Sequence, residues 1–178
     1  VRSDAAVRLG QLGYAIPEVV TGLIPLLADN SDVVRKLLPL LVDENSDVRF
    51  SVVEALGESG NASLEAVNGL LSLLTDSNSS VRSIAAAALG RLGNSNFEVV
   101  NGLLILLVDR DSIVRARAAS ALVQLRNVDP AIVSCLQSLL CDGNLAVRSI
   151  AAGALGDIGN ASSEVVDGLL SLLRDEQS

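Results

Sequence analysis

The sequence predicts an all-α chain built as an array of two-helix repeats, and three observations carry that prediction. A block opening on Val-Arg recurs every 33 residues, at Val48, Val81, Val114 and Val147. The apolar content is Leu, Val, Ala and Ile with only one Tyr and two Phe, a vocabulary of helix propensity and close helix approach. Within each block the apolar residues keep the 3.6-residue period of a helix and show no strand alternation. Self-similarity at such a period marks units that cannot bury their apolar faces alone and stack to do so.

The elements follow in order. Residues 1–178 read as one repeat domain with units 1–33, 34–47, 48–80, 81–113, 114–146 and 147–178, the second of them truncated. The first helix of a unit starts at Val-Arg and ends at the Gly of "ALG" or "LGN". In 81–113 its stripe is Val81, Ile84, Ala85, Ala88, Leu89 and Leu92, and Gly93 with Asn94 supplies a left-handed stop. The second helix starts at a polar cap, for which Ser63, Asn96, Asp129 and Ser162 occupy equivalent places. Pro17 and Pro130 take its first helical position, where a missing N–H costs nothing. Val99, Val100, Leu103, Leu104, Leu106 and Leu107 form its stripe. Gly22, Gly69, Gly102 and Gly168 fall inside it at about 1 kcal/mol each against Ala, which predicts close contact with the Ala-rich first helix. Pro25 and Pro39 share one position in the second helix, where a kink is expected.

Two copies of the unit-closing signal lie 14 rather than 33 residues apart, in "ADNSDVVRKLLPLLVDENSDVR". Val34, Arg35 and Lys36 match the start of a first helix, and Leu37–Leu41 match the end of a second one. The seam therefore lies at Lys36–Leu37. Either Asp32 to Glu44 forms one hybrid helix with Val33, Val34, Leu37, Leu38 and Leu41 on one face, or residues are missing and the two Cα atoms lie far beyond the 3.8 Å of a trans peptide. A hybrid helix predicts a break between the first helix pair and the complete repeats.

The unit-closing signal is an Asp six residues before an Arg: Asp29/Arg35, Asp43/Arg49, Asp76/Arg82, Asp109/Arg115 and Asp142/Arg148. Five equal copies argue for a structural ladder and against a catalytic pair. The carboxylate suits loop N–H groups, and a guanidinium can span to the next unit's Asp.

Composition narrows function. The formal charge is −8, with twelve Arg and one Lys, a poor match to phosphate backbones. The chain has no His, so His-based triads and His metal sites are excluded. The glycines form no phosphate loop, and the P-loop Lys is absent. No cofactor and no enzymatic activity are expected. Cys135 and Cys141, on different faces of a predicted helix, read as core fillers in reduced cytosol. Asn61, Asn78 and Asn160 head glycosylation sequons, read as turn and cap residues. No run of 18 apolar residues predicts a membrane span. The chain starts at Val1 without a signal peptide and reads as a fragment of a larger protein, whose exposed ends predict self-association.

The pattern D-x5-VR-x-x-A-A-x-A-L-G-x-L-G-N resembles HEAT-like repeats of the phycobilisome-lyase type, within the armadillo/HEAT α-solenoid group. The resemblance covers most of the chain. It implies a right-handed superhelix of about five to six helix-turn-helix units, with first helices convex and second helices concave. It also points to bacterial, notably cyanobacterial, multidomain and signalling proteins. Such arrays bind along the concave face. The outward positions of the second helices are Glu65, Asn68, Ser72 and Thr75; Glu98, Asn101, Ile105 and Val108; Ala131, Ser134, Ser138 and Cys141; and Glu164, Asp167, Ser171 and Arg174. They read as an ordinary solvated face or as a groove for a protein or peptide centred on Ile105 and Val108. The expected function is a non-catalytic protein-interaction scaffold. A subunit of a bilin lyase or isomerase and a nucleic-acid-binding array are the alternatives.

Overall fold

The computed structural model describes residues 31–125 and 129–159, together with 163, 166, 167, 169 and 170. Among the described residues there are eight α-helices, numbered from Ser31, and no strand. No helix there is long and apolar enough to cross a membrane.

The seam is helical. Lys36 and Leu37 are successive residues of α1, Ser31–Leu37, which passes directly into a 3-10 helix at Leu38–Val42. Val34, Leu37 and Leu41 are buried and Leu38 is half-buried, so the hybrid segment presents one apolar face. Pro39 stands in the first turn of the 3-10 segment. The helix therefore tightens at this Pro, which lacks the N–H that an α-helical turn would use. Pro17, Pro25 and the expected break after the first helix pair lie outside the described residues.

Four first helices follow: α2 (Ser46–Glu58), α4 (Ser79–Leu92), α6 (Ser112–Gln124) and α8 (Leu145–Asp157). Each begins two residues before its Val-Arg pair, because Asn45, Asn78, Asp111 and Asn144 cap it. Their side-chain oxygens accept from the N–H of Asp47, Ser80, Ile113 and Ala146 at 2.8–2.9 Å. Gly93 closes α4 at φ 68°, and Gly60 and Gly159 adopt the same left-handed conformation. The second helices are α3 (Leu64–Ser72), α5 (Phe97–Leu106) and α7 (Pro130–Leu139). Ser63, Asn96 and Asp129 cap them through the N–H of Ala66, Val99 and Ala131; Ser162 lies outside the described residues. A 3-10 turn, Leu73–Thr75, ends α3 as Leu38–Val42 ends the hybrid segment.

The helices cluster into two compact units, Val1–Asn94 and Ser95–Ser178. In the first, α2 packs on α4, and α3 with its 3-10 turn packs on α4. In the second, α6 packs on α8, α5 on α6, and α7 on α8. The cores follow the predicted stripes at most positions: Val52, Leu56, Leu70 and Leu89 in the first unit and Leu103, Leu122, Leu136 and Leu155 in the second are fully buried. Ile84, Leu92, Val100 and Leu104, placed on the stripes by spacing, instead lie at their margins and are half-buried.

Two glycines sit at close approaches. A Cβ on Gly69 would stand 2.6 Å from Leu41 Cδ1 and 3.1 Å from Leu38 Cδ2. This corrects the expected contact: the neighbour is the hybrid segment, whose second-helix half lies against α3, and not the Ala-rich first helix. Gly57 does face an Ala-rich helix, since a Cβ there would meet Ala88 Cβ at 2.7 Å.

Candidate protein-interaction surface

The loops between repeats fix how each helix pair is presented, and the Asp and Arg residues are organised there. Asp43, Asp76, Asp109 and Asp142 each accept, at 2.8 Å, the N–H of the residue two places on, which is the next helix cap. The following Arg folds back onto the same loop. Arg49, Arg82, Arg115 and Arg148 donate through Nη1 to the carbonyls of Asp43, Asp76, Asp109 and Asp142 at 2.7–2.9 Å.

The rest of the guanidinium reaches the next repeat. Arg49 makes a bidentate pair with Asp76, Nε to Oδ2 and Nη2 to Oδ1, both 2.7 Å. Arg115 does the same with Asp142 at 2.7 and 2.8 Å. Planar fork-to-carboxylate geometry of this kind is available to Arg and not to Lys. The Asp142 carboxyl is held below its usual range mainly by Arg115, against the opposing effect of burial and with help from the Asn144 N–H. At Asp76 burial pushes upward most, but the bonds from Arg49 and the Asn78 N–H outweigh it.

Arg35 departs from this geometry. It is exposed and donates to Glu65 Oε1 at 3.4 Å. In the truncated repeat the next ladder Asp, Asp43, follows after eight residues rather than after the turn and second helix that set the Arg49–Asp76 span. Asp29 lies outside the described residues.

The outward residues of the second helices are at the surface. Glu65, Asn68 and Ser72 on α3, Glu98, Asn101 and Ile105 on α5 with Val108 just beyond, Ser134 and Ser138 on α7, and Asp167 are all exposed; Ser171 lies outside the described residues. Ile105 is 61% and Val108 83% exposed. Cys141, read both as a core filler and as an outward position, is exposed and so keeps the outward one, and Cys135 is half-buried; both are free thiols. Cys141 stands in the turn after α7, at the position of Thr75 and Val108 in the repeat frame.

Phe97 was not singled out by spacing, yet it is 79% exposed at the first position of α5. With Asn101, Ile105 and Val108 it follows a 4-4-3 spacing, so α5 and the turn that ends it carry three exposed apolar side chains in one row. The signal available in the sequence was rarity, since Phe97 is one of only three aromatics. On α3 and α7 the corresponding faces are mostly polar. Ser72 and Ser138 donate their hydroxyls to the carbonyls of Gly69 and Cys135 at 2.7 Å.

Comparison with known families matches HEAT repeats over residues 34–123 and 100–178. The chain belongs to the HEAT repeat family. Among solved structures, these HEAT repeats are similar to a chain from the complex of CpcE and CpcF of phycocyanin lyase from Nostoc sp. PCC7120. That likeness has a TM-score of 0.69 and 24% identity, covering 85% of this chain and 96% of that one. A designed armadillo repeat protein in complex with the peptide (KR)4 is similar at TM-score 0.62 and 19% identity, over 94% of this chain and 86% of that one. Human deoxyhypusine hydroxylase is similar at TM-score 0.58 and 21% identity, over 89% and 68%. At these identities the likeness is one of fold, and it makes the chain an all-α repeat solenoid. Comparison with curated proteins finds no match.

Proposed function

We propose that this HEAT-repeat chain is a non-catalytic scaffold that binds a protein or peptide partner along its second helices, with α5 as the centre of the contact. The single observation behind this is the row Phe97, Ile105 and Val108, left in water on and just after a helix that already buries Val99, Leu103 and Leu106. Full burial of a large apolar side chain contributes about 1.5–3 kcal/mol, so three such residues make a sufficient anchor for a modest interface. The scaffold class fits the similar folds, one of which holds a peptide. Arg49 and Arg115 are committed to carboxylates, which leaves fewer cations for a nucleic acid.

The test is a selection of displayed peptides on the full chain, followed by affinity measurement on the enriched sequences. Enriched peptides should lose at least tenfold in affinity for Ile105→Asp/Val108→Asp while its circular dichroism melt is unchanged. Equal affinity for both proteins would overturn the proposal. A lyase-related reading has one observation in its favour, the likeness to the CpcE–CpcF complex. It predicts a shifted absorption band when a free bilin is added, whereas the scaffold reading predicts none.

A further inference from the structure

A different surface of the second compact unit carries a site that the α5 face does not explain. The first helices α6 and α8 lie side by side and leave a groove of about 180 Å³ between them. On α6 its wall is Ile113, Ala116 and Arg117, the i, i+3, i+4 row of one helix face, and on α8 it is Ala146 and Ile150. Asn144 Nδ2 donates to Ser112 Oγ at 3.1 Å and ties the two helix starts together beside the groove. At the place of Ala116 in the repeat frame α2 carries Phe50, α4 Ser83 and α8 Ser149, so a small side chain there leaves room that an aromatic one would fill.

The groove is apolar with a single charge. Ile113 is 63% exposed, and Arg117 is the only charged side chain lining the groove. Among the described residues Arg117 has no carboxylate partner, in a chain whose formal charge is −8. At the helix starts Asp111 and Asn144 accept from the N–H groups of Ile113 and Ala146. Asp111 is the acid next to the groove, and its carboxylate opposes a bound anion from the Ser112 end. Attraction for a negative group therefore centres on Arg117.

We infer that this groove seats an acidic amphipathic segment of a protein partner, with one bulky apolar side chain between Ile113 and Ile150 and a carboxylate on Arg117. Arg117 is exposed at the groove edge, so it attracts an acidic segment and repels a basic one by a charge effect that added salt weakens. This binding is independent of the α5 surface and uses first helices rather than second ones.

The experiment is a titration of the full chain, isotopically labelled at Ile methyl groups, with acetyl-Glu-Phe-Leu-Glu-amide and with its Lys-Phe-Leu-Lys counterpart. The acidic peptide should shift the Ile113 and Ile150 signals saturably, and the basic one should bind at least tenfold more weakly. Arg117→Glu should reverse that order, Ala116→Phe should abolish binding by filling the groove, and Ile105→Asp/Val108→Asp should leave it intact. Equal binding of both peptides, shifts confined to Ile105, or an Arg117→Glu protein with unchanged preference would overturn the inference.

Discussion

Helices α3 and α5 are two copies of one design that diverge on one face. Inside, Leu70 and Leu103 fill the same place and both are fully buried, as are Ala66 and Val99. Outside, Leu64, Glu65, Asn68, Ser72 and Thr75 on and after α3 correspond to Phe97, Glu98, Asn101, Ile105 and Val108. The α3 hydroxyls are satisfied by their own helix, Ser72 on Gly69 and Thr75 on Ser72. Ile105 and Val108 have no such use for their surface. The internal positions are dictated by the packing of neighbouring repeats, so they stay apolar; the outward positions are free of that constraint, and the proposed contact lies where they differ. Glu65 also receives Arg35, whereas Glu98 has no ion-pair partner among the described residues.

That contrast can be broken first at the inside positions. Leu103→Ala and Leu70→Ala should each cost about 3–4 kcal/mol, the range for a fully buried Leu, and thermal or urea melts should show the two losses as equal. A loss confined to one of them would mean that the repeats do not share a packing scheme. The inter-repeat ladder comes next. Arg115→Ala leaves Asp142 largely buried without its partner and should cost roughly 2–3 kcal/mol, while Arg35→Ala, on an exposed pair, should not move the melting midpoint measurably.

The same pairs set an acid limit. Asp76 and Asp142 have folded pKa values below the unfolded carboxylate value. Their stabilisation is therefore complete above about pH 4, the unfolded value, and is lost as pH falls through the folded values. Melting midpoints should be flat from about pH 5 upward and fall below about pH 4, with a shallower fall in Arg115→Ala. The smallest change concerns a glycine. A Cβ on Gly153 would meet nothing within 4 Å, so Gly153→Ala should stabilise α8 by about 1 kcal/mol. Gly69→Ala should lack that gain, since its Cβ meets Leu41 and Leu38.

Much of this was legible before any coordinates, because it is local. The helix pairs, the Ser63, Asn96 and Asp129 caps and the Gly93 stop each follow from residues within one repeat. The caps Asn45, Asn78, Asp111 and Asn144 escaped because the repeated Val-Arg pair marks the start so strongly that the true start, two residues earlier, is masked. What depends on residues in different repeats was harder to read. The neighbours of Gly69 follow from the shortened second repeat, which sets Leu38 and Leu41 against α3. The α6–α8 groove needs small side chains at Ala116 and Ala146 together, about which neither position says anything alone. Phe97 was missed for another reason: as the first residue of its helix it sits just ahead of the spacing used to lay out the outward row.

The most direct measurement is the pair of numbers given by Ile105→Asp/Val108→Asp, its melting midpoint and its affinity for a peptide selected on the parent chain. If outward positions carry function and inward ones carry the fold, the midpoint should stay within about 2 °C of the parent, equivalent to no more than about 1 kcal/mol, and affinity should fall at least tenfold. A lowered midpoint would place these side chains in the packing of the fold, and an unchanged affinity would remove α5 from the binding surface.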